Sequence, residues 1–411
     1  MLKRLACAVA AALCTVPLVP GTAAADQVRA TQERVLRMLG VPQAWTITRG
    51  RGVIVAVLDS GVDPNHRDLA GSVITGKDFT AGANPRGVAP PRLHGTYMAS
   101  LIAGHGHGPG NADGVIGVAP EAKVLSVRVL LEDQEPGFRE FNRDPRFEGV
   151  VAKGIRYAVD HGADVINLSL SKDRPTKEER DAIRYAISKG VVLVAAAGNA
   201  GEGRRTAPYS YPAAIPGVIS VAAVTPEMQR APFSTRNSSV MVAAPGVDVL
   251  GAGPGDEYWV GRGTSQAAAL VSGVAALIKS RYPKLPPALV AQALCSSPVR
   301  SGGYNTGTGF GVVHAYRALT AAAALAGHRF TASGRGVRDP RLPIRATAPA
   351  AGPITLVRRD RRAVAVRFGV AAVAFTGTAG GVAVVAVLRR RRTAGRDAPV
   401  PLSPRPTGLP T

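Results

Sequence analysis

Three short segments carry side chains that together could perform acyl transfer. Asp59 closes the apolar run Val55-Ala56-Val57-Leu58 and is followed by Ser60-Gly61-Val62-Asp63. His94 leads the small-residue stretch His94-Gly95-Thr96-Tyr97-Met98-Ala99-Ser100-Leu101. Ser265 stands between Gly261-Arg262-Gly263-Thr264 and Gln266-Ala267-Ala268-Ala269. Singly, each has an ordinary structural explanation: a turn-forming Asp, a satisfied structural His, a Ser N-cap. As a set they supply a hydroxyl nucleophile, a base of near-neutral pKa and a carboxylate that fixes the tautomer of the base. A Ser opening a helix also has backbone N–H groups and the positive helix end beside it.

Such residues need a rigid frame, and the chain has the pattern of one. Val53–Leu58, Val124–Leu130, Val165–Leu170, Val191–Ala197 and Val218–Val224 are continuous apolar runs, as strands covered on both faces require. Helical segments alternate with them. One is expected over Phe147–His161, stopping at Gly162. A second opens on the capping box Thr176-Lys177-Glu178-Glu179 and stops at Gly190, and a third runs from Thr264 to about Arg281. That order implies a parallel sheet with right-handed crossovers and working residues at the carboxyl ends of strands. Leu131–Arg146 is charged and aromatic without clear periodicity, and reads as a surface insertion.

The order Asp59, His94, Ser265, together with the motifs DSG, HGT and GTS, resembles the subtilisin-like serine proteases over about residues 41 to 322. Further segments fall between them in the family's order: Gly117-Val118-Ala119-Pro120, Val165-Ile166-Asn167-Leu168-Ser169-Leu170, Ala196-Ala197-Gly198-Asn199 and Ala243-Ala244-Pro245-Gly246. The resemblance implies a subtilisin-like three-layer α/β fold with a central, mostly parallel sheet. It implies a serine endopeptidase acting on polypeptide substrates, with Asp59, His94 and Ser265 as catalytic residues and Asn199 as an oxyanion donor. Ser169, Leu170, Ser171, Ala197 and Gly198 would line the substrate. Departures are Gln266-Ala267-Ala268-Ala269, where the family usually has Met-Ala-x-Pro, and Ser171, where Gly is common. His105 and His107 alternate in a Gly-rich loop without an accompanying carboxylate set, so neither metal nor cofactor is expected.

The ends read as addresses. Residues 1–25 have the charged start (Lys3, Arg4), apolar run and Ala23-Ala24-Ala25 site of a secretory signal. Residues 26–40 form a short extension, 323–367 an Ala/Gly/Pro/Arg-rich linker and 389–411 a basic, Pro-rich tail. Between linker and tail, Phe368–Leu388 lacks any charge and is long enough to span a bilayer as one transmembrane helix. Arg389-Arg390-Arg391-Arg392 follows it, which fits the positive-inside rule, and the N-terminal signal sets the expected direction, with the catalytic body outside and the tail cytoplasmic. A short N-terminus, signal, basic linker, single helix and basic tail resemble the mycosins, membrane-anchored subtilases associated with type VII secretion machinery. A surface-tethered general protease and a non-catalytic stabiliser of a secretion complex are the rival readings.

Composition narrows the field further. The 411 residues are 46% hydrophobic with mean hydropathy +0.08, which excludes both a wholly disordered chain and a polytopic membrane protein. Net charge is +22, of which residues 328–411 hold +13. The strongest basic runs flank the apolar helix and no aromatic-basic groove accompanies them, so nucleic-acid binding is not expected. Cysteines are Cys7, Cys14 and Cys295, which leaves no internal disulfide once a signal is removed.

Overall fold

A computed structural model describes residues 27–203, 205–299 and 302–327. The expected signal (1–25), the transmembrane helix (368–388), the tail (389–411) and the linker beyond residue 327 lie outside the described residues. Among the described residues no helix is long and apolar enough to cross a membrane.

The chain enters through α1 (Gln27–Met38) and the short α2 (Val41–Ala44), then β1 (Ile54–Asp59) and β2 (Val73–Asp78). Next come α3 (Leu93–Ala103), the ribbon β3 (His105–His107) and β4 (Asp113–Ile116), and β5 (Lys123–Arg128). The middle contains α4 (Phe138–Phe141), α5 (Val150–Asp160), β6 (Val165–Leu168), α6 (Lys177–Ser188), β7 (Val192–Ala196) and β8 (Val218–Val224). It closes with β9 (Val242–Pro245), the hairpin β10 (Val249–Ala252) and β11 (Tyr258–Gly261), α7 (Thr264–Arg281), α8 (Pro287–Cys295) and α9 (Ala315–Gly327).

Seven strands form one sheet in the order β2-β5-β1-β6-β7-β8-β9, and each neighbouring pair is parallel. Alternation along the strands feeds two cores. Val55 and Val57 of β1 and Val192, Val194 and Ala196 of β7 face the core of α3 and α7. Ala56, Leu58, Leu193 and Ala195 face the core of α5 and α6. With both faces covered, the central strands must be apolar throughout, which is why they were readable as continuous runs. The result is the expected three-layer α/β arrangement.

Two edge strands escaped that reading. β2 is the sequence VITGKD, half-exposed along its length, and β9 is only four residues, VAAP. The segment expected as a surface insertion is also more deeply built in than its charge suggested. Leu131, Glu132, Glu135, Phe141 and Phe147 are all buried, and the segment carries α4 and a 3₁₀ turn at Pro145–Phe147. The helix expected from Phe147 begins at Val150 because that turn, capped by Asp144, takes the first residues. The capping box at Thr176 and Glu179 forms as predicted.

The N-terminal helices pack onto the body. Val35, Leu36 and Gln32 are buried, and α1 lies against β4 and β10. Arg29 donates to the carbonyls of Gly114, Asn111 and Asp113 at 2.9, 3.0 and 2.8 Å, and Gln32 accepts from Ile116 N–H at 2.6 Å. α2 lies against α9, where the Ala315 N–H donates to the Leu39 carbonyl at 2.7 Å.

Candidate active site

The sheet changes direction at β1: the strands on one side, β5 and β2, and on the other, β6 to β9, are filled by opposite progressions of the chain. In open parallel sheets the crevice at such a point, outside the carboxyl ends of the strands, is where ligands bind. Asp59 is the last residue of β1 and is fully buried. Its Oδ1 accepts from the Ser60 N–H at 2.7 Å and pairs with His94 Nδ1 at 2.8 Å. The turn that follows must come close to α3. A Cβ on Gly95 would lie 2.1 Å from the Gly61 carbonyl oxygen, so HGT and DSG meet backbone to backbone.

His94 sits in the first turn of α3 with its side chain about one-third exposed (34%). Burial draws its pKa down, but the charge of Asp59, the hydrogen bond that His94 donates to Asp59 and the charge of Glu132 together outweigh this, and the net direction is upward from 6.5. The inner ring nitrogen is thereby committed to Asp59, which leaves Nε2 as the atom able to take a proton.

Ser265 is the second residue of α7, the long central helix that is buried almost throughout. Ser265 is partly exposed between buried neighbours. Its hydroxyl donates to the Ser169 carbonyl at 3.4 Å, while the Ser169 hydroxyl, two residues past the end of the sequence segment Val165-Ile166-Asn167, donates to the Ser265 carbonyl at 3.1 Å. No hydrogen bond joins His94 and Ser265 among the described residues; such contacts commonly tighten only when substrate is present. Asn199 lies beyond the end of β7 with its side chain oriented by Thr264, whose N–H and hydroxyl both donate to Asn199 Oδ1, at 3.0 and 2.9 Å. Its amide nitrogen is thus turned outward. Thr264 also accepts from the Gly198 N–H at 3.1 Å, which fastens the Ala197-Gly198-Asn199 turn to the start of α7.

Two cavities open along the remaining expected residues. One of about 430 Å³ is bounded by His94, Leu130, Glu132, Ser169, Trp259 and Gln266. The other, about 550 Å³, lies between the 131–147 segment and the chain after β6, with Leu170, Ser171, Phe138, Phe141 and Phe147 in its wall. Ser171 projects to Ser210, with which its hydroxyl is hydrogen-bonded, so the side chain is turned aside and held. His107 pairs with buried Asp68 at 2.6 Å and His105 with the carbonyls of Gly106 and Ala70. Among the described residues no group of three or more His, Cys, Asp or Glu is placed to hold a metal ion.

Sequence reasoning missed the residues that set this geometry. Ser60 holds Gly95, Glu132 holds His94 and Thr264 holds Asn199, through contacts between segments far apart in the chain. The only local signal was their adjacency to a motif, as Thr264 is to Ser265 and Ser60 to Asp59.

A carboxylate, an imidazole and a hydroxyl brought to the switch point of a parallel sheet define a serine hydrolase. The chain belongs to the Subtilase family, whose model matches residues 50–312, and it is a subtilisin-family serine protease. Thermitase of Thermoactinomyces vulgaris is 39% identical over 287 residues, which cover 68% of this chain and 92% of that one. Among solved structures, MycP1 from Mycobacterium smegmatis is 29% identical with a TM-score of 0.58, covering 70% of this chain and 84% of that one. MycP3 protease from the type VII (ESX-3) secretion system is 32% identical with the same TM-score of 0.58, covering 73% and 90%.

Proposed function

We propose that Ser265, His94 and Asp59 hydrolyse peptide bonds through an acyl-enzyme. The observation that carries this reading is the 2.8 Å contact of His94 Nδ1 with buried Asp59 at the switch point, with Ser265 on the facing helix. His94 Nε2 takes the Ser265 proton as the oxygen attacks the scissile carbonyl. Asp59 holds the tautomer and stabilises the imidazolium without itself being protonated. His94 then gives that proton to the leaving amine. Water, deprotonated in turn by His94, attacks the acyl carbon, and His94 returns that proton to the Ser265 oxygen as it leaves. The Asn199 amide N–H and the Ser265 backbone N–H, an unpaired donor of the first helical turn, stabilise the oxyanion. Substrate backbone runs along Ser169-Leu170-Ser171 and past Ala197-Gly198, with one side chain in the Phe-lined cavity. A fluorophosphonate probe should label the wild-type protein and not Ser265→Ala; labelling that survives the substitution removes Ser265 as the nucleophile.

We further propose that the protein is a single-pass, membrane-anchored protease of the mycosin kind, with the catalytic body (41–322) outside the cell. Support comes from the uncharged run 368–388 ahead of four arginines, the signal-like residues 1–25, and the likeness to MycP1 and MycP3. It would act on a polypeptide delivered by type VII secretion machinery. Two measurements bear on this. The full chain should resist extraction from membranes by alkaline carbonate while a chain ended at residue 327 should not. Comparative proteomics of the extracellular fraction from wild type and Ser265→Ala should show one processed partner; broad differences would favour a general surface protease.

A further inference from the structure

Helix α3, which carries His94, begins without a cap of its own. Arg92, the residue before it, stands at φ 57° in the left-handed region and its side chain makes no capping hydrogen bond. The first N–H groups of a helix have no partner within it. Here two distant side chains supply partners. Ser60 Oγ accepts from the Gly95 N–H at 3.1 Å, and Glu132 Oε1 accepts from the His94 N–H at 2.9 Å. Glu132 reaches α3 from the loop after β5, the strand beside β1.

Glu132 is only 9% exposed, and a carboxylate so placed must be held and satisfied. Its own N–H donates to Glu135 Oε1 at 2.8 Å. Glu135 Oε2 in turn accepts from Arg128 at 2.5 Å and from the Asn84 amide, and Arg128 also reaches Asp78 at 3.2 Å. The cation of Arg128 is therefore spent on Glu135 and Asp78, and the charge of Glu132 is left facing α3. Glu132 and His94 border the same cavity.

We propose that Glu132 is a positioning residue for His94: its carboxylate caps α3 from outside, fixes the His94 backbone, and presents a second negative charge beside Asp59 to the imidazolium. This rests on His94 being the general base. The charged groups that act on the ring are Asp59 from β1 and Glu132 from the loop after β5; Asp133 of that loop and Arg262 after β11 line the same cavity, and Arg92 precedes α3. α7 contributes only the uncharged Ser265 and Gln266 to this environment. The effect of the Glu132 charge on the ring is upward, in the same sense as Asp59. A carboxylate at a helix N-terminus is favoured by the helix dipole as well.

The test is the pH dependence of kcat/KM for the full-length protein on a soluble peptide. Glu132→Gln keeps an oxygen that can accept from the His94 N–H and removes the charge. Its acid limb should move to lower pH by about half a unit, with KM little changed. Glu132→Asp keeps the charge, so its acid limb should stay at or near the wild-type position even if kcat falls. Glu132→Ala loses cap and charge, and kcat should drop by about tenfold or more in addition to the shifted limb. A merely structural role would lower activity in all three without separating their limbs. Coincident limbs for wild type and Glu132→Gln, or a shift to higher pH, overturn the proposal. Persistent fluorophosphonate labelling of Ser265→Ala, or a wild type whose kcat/KM shows no acid limb, instead overturns the assignment of His94 and Ser265.

Discussion

Thr264 grips Asn199 twice: its N–H and its hydroxyl both donate to Asn199 Oδ1, at 3.0 and 2.9 Å. An amide so bound cannot rotate freely, and in the proposed mechanism its nitrogen is held in advance for the charge that develops beside Ser265. Preorganisation of this kind is worth more than the bond count suggests, because nothing has to reorient during reaction. Asn199→Ala should lower kcat by about 10²–10³, the loss known from subtilisin itself for one such donor. Thr264→Ala should lower kcat by less and Thr264→Ser by little, with KM steady in each. Steady-state kinetics on one peptide substrate check all three.

Asp59 and His94 set the pH behaviour. In the proposed mechanism the base is the neutral ring; its pKa is raised above 6.5, so kcat/KM should climb through a pH above that value. Stability carries the opposite sign. A group whose folded pKa exceeds its unfolded pKa stabilises the protein fully below the unfolded value and loses that contribution as pH rises through the folded one. The Tm difference between Ser265→Ala and the Ser265→Ala/His94→Ala pair should therefore be largest near pH 5 and should shrink toward pH 9. Asp59→Asn should cost about 10⁴ in kcat, since the wrong tautomer would face Ser265.

The contact of Gly95 with Gly61 admits no side chain. Gly95→Ala should destabilise the fold by about 1–3 kcal/mol through displacement of α3 or the DSG turn. Because His94 adjoins the displaced residue, activity should fall further than Tm alone accounts for. Urea unfolding alongside kinetics separates the two.

Cys295 is partly buried at the end of α8 and its thiol is pushed up to about 11. Thiolate is the reactive form, so at pH 8 the native protein should react very slowly with a disulfide reagent and rapidly once unfolded. Protease activity should be indifferent to added reductant.

Arg29 ties α1 to the turn and second strand of the β3–β4 ribbon through three carbonyls. Arg29→Ala, measured in Ser265→Ala to suppress self-digestion, should lose about 2 kcal/mol of stability. Arg29→Lys should recover only part, since an ammonium cannot reproduce the planar fork.

Much of the frame was legible because burial on both faces forces β1, β5, β6, β7 and β8 to be apolar residue after residue. β2 and β9 were not, since an edge strand faces half its length to solvent and four residues carry no period. Asp59, His94 and Ser265 stood out because each lies in a short motif at the edge of an element. Glu132 did not: its segment is charged and aperiodic, and its meaning comes from a helix end that lies 38 positions earlier in the chain. Sequence patterns report the faces of elements well and the pairing of their ends poorly.

The hydrogen bond from Ala315 to Leu39 joins the first helices of the body to the last. A ribosome delivers the chain from its N-terminus, so α2 is made early, yet its seat on α9 is the last of the described elements to exist. Residues 39–44 are thus among the first made and the last to be locked. A chain that ends before residue 315 keeps the seats of α1 on β4 and β10 but leaves α2 without α9, so the fold carries near its start a check on whether its last described helix has been made.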